Sequence, residues 1–365
     1  MIKRIAAIVL SGVLTIGLLS GCGGNAKDSG EKENKAGTEA SGNTDDAKDS
    51  KASGGGDAEY NWTCGVNLPT DHPYYTGCVK FGELMNEKSG GRISLEVYPS
   101  AQLGNERDVV EALQMGSVDF TLISAAPLSN FTHDFEVFDF PYVFSNTEHA
   151  YSVLDSEIGR TMLDNLENYD LVGLEFLENG FYYISCDSRV EHPDDMKGVK
   201  IRSLESQMQV DAYNNLGANG IAMAFSEVYT ALQNGTLNAT GLTPAVIGSN
   251  NIDQVQSYVT ATNHFYAAAP LLMSKVVYDG LDEELQQAVR EAAAEARDWQ
   301  RAESQKYNEE MLQKIKDTGC EVIEIDAEEW KEAMVPAIEE AYVGDGKLID
   351  PAIYQKIKDM DPTAK

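Results

Sequence analysis

From Trp62 onward the apolar positions recur with two alternating periods, and each switch between them marks an element. Trp62 to Leu68 reads as a strand, followed by a turn at Thr70-Asp71-His72-Pro73 and a helix that keeps Phe81, Leu84 and Met85 on one face. Arg92 to Tyr98 alternates apolar and polar residues as a half-buried strand does. Gly104 to Met115 has helical period and stops at Gly116, and Val118 to Ser124 is the next strand. Further strands are expected at Phe181 to Cys186, Lys200 to Arg202 and Ala267 to Tyr278, with a helix opening at Ser226 as N-cap. Alternating strand and helix predicts an α/β fold with largely parallel sheets and ligands at the strands' carboxyl ends. Asp282 to Lys316 forms one long helical pattern, with Leu285, Val289, Ala292, Ala296, Trp299, Tyr307, Met311 and Ile315 as its apolar stripe. Such a helix spans roughly 50 Å at about 1.5 Å per residue, more than one small domain, so it is expected to run across two.

The first residues follow a different rule. Lys3 and Arg4 precede an apolar run from Ile5 to Leu19, which is about 22 Å as a helix against the roughly 30 Å of a bilayer core. Residues 1–22 therefore read as a signal peptide rather than an anchor. It ends in Leu19-Ser20-Gly21-Cys22, which resembles a bacterial lipobox and makes Cys22 the expected lipid carrier. Residues 23–57 contain no aromatic residue and no Val, Ile, Leu or Met, too little apolar surface to offset the entropy of ordering, and read as a disordered linker. The predicted location is the extracytoplasmic face of the cell membrane, held by lipid.

Of the 365 residues 59 are Asp or Glu and 28 are Lys or Arg, a formal charge of −31. So acidic a body is unsuited to nucleic acid, whose binding depends on Lys and Arg at phosphates, and it obliges any anionic ligand to find a local positive site. Cys64, Cys78, Cys186 and Cys320 have no metal-ligand spacing. They fit either two bridges, in any of three connectivities, or buried thiols, and their apolar neighbours favour thiols. No metal or cofactor is expected.

The strongest signal is the run from Val199 to Pro244. It contains Lys200-Ile201-Arg202-Ser203, Leu216-Gly217-Ala218-Asn219 and Met223-Ala224-Phe225-Ser226-Glu227-Val228-Tyr229-Thr230-Ala231-Leu232-Gln233. Upstream stand Asp71-His72-Pro73, Tyr98-Pro99-Ser100-Ala101-Gln102-Leu103-Gly104, Gly116-Ser117-Val118-Asp119, Asp139-Phe140-Pro141-Tyr142 and Pro193-Asp194-Asp195-Met196-Lys197-Gly198. Over roughly Tyr60 to Asp361 the chain resembles the solute-binding proteins of tripartite ATP-independent periplasmic (TRAP) transporters. The resemblance implies a two-lobed binding-protein fold with crossover strands and a long helix spanning both lobes. The expected division is 58–179 plus 268–307 for the first lobe and 180–267 plus 308–365 for the second.

It also implies a site. Arg202 matches the arginine that pairs with a ligand carboxylate, where a planar guanidinium offers two parallel donors and stays charged when buried. Phe225 matches the aromatic that packs on the ligand, Glu106 an acceptor for ligand hydroxyls, and Asn67 another contact. Departures stand beside the matches. Tyr182 follows Gly180-Phe181 where many members have a second arginine, and Leu242 stands where an asparagine is usual. Ser124 and Pro127 replace the acidic residue and arginine of sialate binders. The expected ligand is thus a small organic acid held at one charged point, a hydroxylated carboxylate such as a sugar acid, with Tyr182 as a hydroxyl donor. The alternatives are a simple mono- or dicarboxylate, or an exported carbohydrate-active enzyme. Against the enzyme, the chain has no Gly-x-Ser-x-Gly or His-Glu-x-x-His motif, and His133-Asp134-Phe135-Glu136 reads as a loop. The implied partners are one small and one large TRAP membrane subunit.

Overall fold

The structure is a computed structural model that describes residues 58–363; the expected signal peptide, Cys22 and the 23–57 linker lie outside the described residues. The first lobe opens with β1 (Tyr60–Gly65), α1 (Pro73–Lys88), β2 (Ile93–Tyr98), α2 (Glu106–Gln114) and β3 (Phe120–Leu122). After two 3-10 turns come α3 (Thr147–Leu154), α4 (Glu157–Asn165) and β4 (Leu171–Phe181), which carries the chain into the second lobe. There follow β5 (Tyr183–Cys186), β6 (Lys200–Ser203), α5 (Gln207–Asn215), β7 (Asn219–Ala222), α6 (Phe225–Gln233), β8 (Ala239–Leu242), α7 (Pro244–Ser249) and β9 (Tyr258–Thr260). The chain returns through β10 (Tyr266–Ser274) and α8 (Lys275–Tyr278) to α9 (Glu283–Asp317), then β11 (Glu321–Ile323), α10 (Ala327–Tyr342) and α11 (Pro351–Asp359). Strand order is β2-β1-β3-β10-β4 in one sheet and β11-β9-β5-β8-β6-β7 in the other.

Both sheets are mixed rather than largely parallel. β1 runs parallel to β2 and β3, but β10 pairs antiparallel with β3 and β4, and β5 antiparallel with β8 and β9. Parallel pairing within a lobe comes from crossover helices. β5 and β10 instead enter their sheets from the other lobe, so no crossover fixes their direction.

The long helix is present as α9, one residue from its predicted start. Asp282 caps it by accepting from the Leu285 amide at 2.9 Å, with Glu283 and Glu284 in the first turn and Lys314 and Lys316 in the last, each sign favourable to the helix dipole. Its buried face differs from the expected stripe. Trp299 is 36% exposed, and Gln300, Arg301 and Ser304 occupy the buried line instead. The cause lies in β4, an edge strand that bulges where its register with β10 shifts between Ala267 and Ala268 and again between Leu271 and Leu272. Gln300 pairs with both backbone groups of Glu178, at 2.9 and 2.7 Å, and Arg301 donates to the Phe176 carbonyl while forking onto Asp155. Unpaired strand backbone thus selects polar side chains where apolar ones were expected.

Four smaller expectations shift. The second-lobe helix opens at Phe225 with Ala224 at the cap and no capping side chain, so Ser226 lies inside it. The last residues of the predicted 267–278 strand coil into α8, and His133–Asp139 is a 3-10 helix rather than a loop. Within the 308–365 segment expected in the second lobe, α11 packs on the first, with the Tyr354 ring 4.8 Å from Phe140 and His149 Nε2 2.8 Å from the Ile357 carbonyl. Its apolar residues Tyr354 and Ile357 are buried there, which outweighs sequence proximity to α10. Cys64, Cys78, Cys186 and Cys320 are all buried free thiols. Among the described residues no helix is long and apolar enough to cross a membrane.

Candidate functional site

The ends of parallel strands assemble the site from both sides. In the first lobe, Asn67 follows β1, Glu106 opens α2, and Ser124 follows β3. From the second lobe, β6 carries Arg202, α6 begins with Phe225, β8 ends at Leu242, and Tyr182 lies in the crossover between β4 and β5. Two adjoining cavities between these groups share Asn67, Arg202, Leu204 and Phe225. One is also lined by Asn105 and Glu106, the other also by Ser124, Tyr182 and Leu242. All seven residues singled out in the sequence therefore border one cleft, at the strand ends where α/β sheets leave a crevice.

Arg202 dominates its electrostatics. The residue is 1% exposed, its Nε donates to the Met223 carbonyl at 2.9 Å, and its Nη1 is buried without a partner. Among the described residues no carboxylate lies within ion-pair distance of it. Its guanidinium carbon stands 5.9 Å from the centre of the Phe225 ring. Burial works against the charge of Arg202, and the surrounding Tyr182 and Glu106 work for it. A buried cation left without a counter-ion is costly unless an anion arrives.

Across the cleft Glu106 is also buried. Its Oε1 accepts from the Ser124 amide at 2.8 Å; burial raises its carboxyl above the usual range, opposed by that amide and by Arg202. Asn67 presents a buried side-chain oxygen with no donor. Burial also raises the Tyr182 phenol, keeping it a neutral donor and acceptor. The cleft thus places one cation opposite a set of hydrogen-bond acceptors.

Several residues at the cleft were not picked out in the sequence. Asn179 occupies the β4 bulge, where its Oδ1 accepts from Thr243 Oγ1 at 2.9 Å and its carbonyl from Asn308 Nδ2 at 2.9 Å. The adjacent Gly180 has φ +108°, and a Cβ there would press on Asn308. Asn105 was passed over as the residue before Glu106. His72 lines neither cavity; its Nδ1 accepts from the Tyr74 amide, so its proton sits on Nε2, and burial lowers its pKa to about 3. The Asn179 position had a signal in the Gly180-Phe181 pair it precedes, but a bulge has no one-dimensional signature.

A larger hollow lies elsewhere, between Phe140 to His149, α10 and α11. None of its lining residues holds a buried polar atom without a partner, so the cleft, not the larger space, carries unsatisfied chemistry.

Comparison with known proteins agrees with this geometry. The sequence model of bacterial extracellular solute-binding proteins, family 7, matches residues 64–345. The C4-dicarboxylate-binding periplasmic protein DctP of Rhodobacter capsulatus is 36% identical over 277 residues, 74% of this chain and 83% of that one. The sugar acid binding protein DctPAm of Advenella mimigardefordensis, solved with galactonate, superposes with TM-score 0.79 at 30% identity, covering 82% of this chain and 97% of that one. A TRAP periplasmic solute binding protein of Polaromonas, solved with D-erythronate, gives 0.80 at 30% identity, covering 84% and 100%. With one unpaired cation between two lobes and these relatives over most of its length, the chain belongs to family 7 of the bacterial extracellular solute-binding proteins, the solute receptors of TRAP transporters.

Proposed function

We propose that the cleft captures a hydroxylated monocarboxylate such as a sugar acid and delivers it to the small and large membrane subunits of a TRAP permease. Arg202 pairs with the carboxylate through its free Nη1 and stacks beside Phe225. Glu106 and Asn67 accept from ligand hydroxyls, Tyr182 donates or accepts, and Ser124 and Leu242 complete the wall. The observation that carries this reading is the buried, unpaired Arg202 guanidinium. It also favours one carboxylate over two. Among the described residues Arg202 is the one basic residue lining the two cavities, whereas Glu106 and Glu205 line them as acids, so a second ligand carboxylate would meet like charge. Galactonate and D-erythronate in the related structures support the same class.

The test is thermal stabilisation across a panel of acids. D-galactonate, D-erythronate or D-glucuronate at 100 times its Kd should stabilise the protein by about 2.7 kcal/mol, and succinate should leave the melting point unchanged. Stabilisation by succinate alone would move the assignment to dicarboxylates, and no shift with any acid would remove it.

The two lobes close on the ligand about their crossovers in this reading, with 58–179 plus 268–307 moving against 180–267 plus most of 308–365. The chain is held at the membrane by lipid on Cys22, which cleavage just before it leaves as the first residue, and through the 23–57 linker. Membrane fractionation checks the anchor. Cys22→Ser should release the protein from the membrane fraction, and retention of the variant there would overturn the lipid assignment.

A further inference from the structure

The crossover from β9 to β10 contains a chain of hydrogen-bonded side chains. Thr262 Oγ1 donates to the Tyr182 carbonyl at 3.4 Å and lies 2.6 Å from His264 Nδ1. A hydroxyl has one proton, so with Thr262 giving it to that carbonyl, Nδ1 donates to Thr262. Nε2 of the neutral imidazole is then an acceptor, and Tyr213, whose hydroxyl stands 2.8 Å from it, must donate. Burial, which lowers the His264 pKa to about 3, keeps the ring neutral as this chain requires. Tyr213, His264 and Thr262 are all fully buried. The relay starts on α5, deep in the second lobe, and ends on the carbonyl of a residue that lines the ligand cleft.

Gly241 makes room for it. A Cβ at Gly241 would collide with the Tyr213 hydroxyl, and the Tyr182 ring lies within 3.5 Å of the same point. Any side chain at 241 would therefore displace the Tyr213 hydroxyl. From the first lobe, Tyr142 grips the same segment by its main chain: its amide donates to the His264 carbonyl at 2.8 Å and its hydroxyl to the Thr262 carbonyl at 3.0 Å. Both Tyr142 and Asn263 have left-handed backbones, φ +57° and +50°, a conformation that surrounding structure must hold in place. The other crossover is tied in as well, through the Tyr182 amide to the Phe265 carbonyl at 2.9 Å.

We propose that Tyr213 and His264 are positioning residues for the ligand site: with Gly241 and Thr262 they lock the two crossovers together and fix Tyr182 at the cleft wall. The claim that this matters for capture rests on the proposed function. The lock itself can be tested without ligand.

Native-state amide hydrogen exchange on the ligand-free protein, with Tyr213→Phe, Gly241→Ala and the double variant, separates this role from general stability. Tyr213→Phe should quicken exchange at the Tyr182 and Tyr142 amides roughly tenfold, leaving the Val172 and Leu272 amides of the first sheet unchanged. Gly241→Ala alone should quicken the crossover amides more. Combining it with Tyr213→Phe should bring them back to the level of Tyr213→Phe, because the colliding hydroxyl is gone. Unchanged exchange at Tyr182 in Tyr213→Phe would overturn the proposal, as would Gly241→Ala being equally disruptive with Phe at 213. If Tyr213→Phe fails to fold, Gly241→Ala against wild type keeps the test: it must loosen Tyr182 and Tyr142 before the first sheet. Loosening of all amides alike would reduce the network to ordinary core packing.

Discussion

Arg202→Met is expected to lower the affinity for whichever acid stabilises the wild type by at least about 100-fold and, at the same time, to make the ligand-free protein more stable. The first effect follows from removing the one basic group that lines the cleft. The second follows from its surroundings. Wild-type Arg202 is buried, with one hydrogen bond to the Met223 carbonyl, one free Nη1 and no acidic partner in reach among the described residues. Methionine fills a similar stem volume without charge. Its gain in desolvation, less about 1 kcal/mol for the lost Met223 bond, leaves a net stabilisation of about 1–3 kcal/mol. Isothermal titration and urea denaturation read the two quantities separately. Lower stability with unchanged affinity would show that Arg202 serves the fold rather than the ligand. Opposite movements are the signature of a site kept unstable for binding.

Asp139→Asn should stabilise the protein at neutral pH and do so less and less toward pH 4. Asp139 ends the 3-10 helix of the first lobe and Gln209 lies on α5 of the second; Gln209 Nε2 donates to Asp139 Oδ1 at 2.9 Å. The other two oxygens, Asp139 Oδ2 and Gln209 Oε1, are buried acceptors without donors. A proton on the carboxyl supplies the missing donor. Burial pushes the Asp139 pKa up to about 7, opposed by Ser206 and Gln209 and helped by the charge of Glu136. The native state therefore holds this proton at pH values where the unfolded carboxyl, near its ordinary 3.8, has lost it. Stability from this group is complete below about pH 4 and is lost as pH rises toward 7. Each tenfold difference in proton affinity between the folded and unfolded carboxyl is worth about 1.36 kcal/mol, so the loss is on the order of 4 kcal/mol. Asparagine mimics the protonated acid, donor included, at every pH. The variant's advantage should open between pH 4 and 7 and then stay level, as read from urea denaturation at several pH values. A constant difference across that range would mean that Asp139 is ionised in the native state.

The two predictions draw on residues of unequal visibility. Arg202 and Phe225 stand out because the run around them resembles a family pattern of strand, turn and helix start, and the structure places both at the cleft. Asp139 was visible only as part of Asp139-Phe140-Pro141-Tyr142. Its partner Gln209 lies 70 residues away, and nothing local relates them. The same holds for Asn179. Its neighbour Gly180 belongs to a short motif, but the bulge that turns Asn179 toward Thr243 and Asn308 exists only once β4 has paired with β10.

By itself the sequence determined what local periodicity and short motifs can encode. It set the alternation of strands and helices, the length and charged ends of α9, and the placement of Asn67 and Arg202 toward strand ends and of Glu106 in a helix's first turn. These depend on neighbours within a few residues, where backbone geometry dictates which side chains share a face. Only the tertiary structure decided the mixed sheet directions, the polar seam of α9 against β4, the docking of α11 on the first lobe and the Tyr213–His264 lock between crossovers. Each of these brings together groups from distant parts of the chain, apolar rings for α11 and backbone or buried polar groups for the others, which have no partner to choose until the fold supplies one.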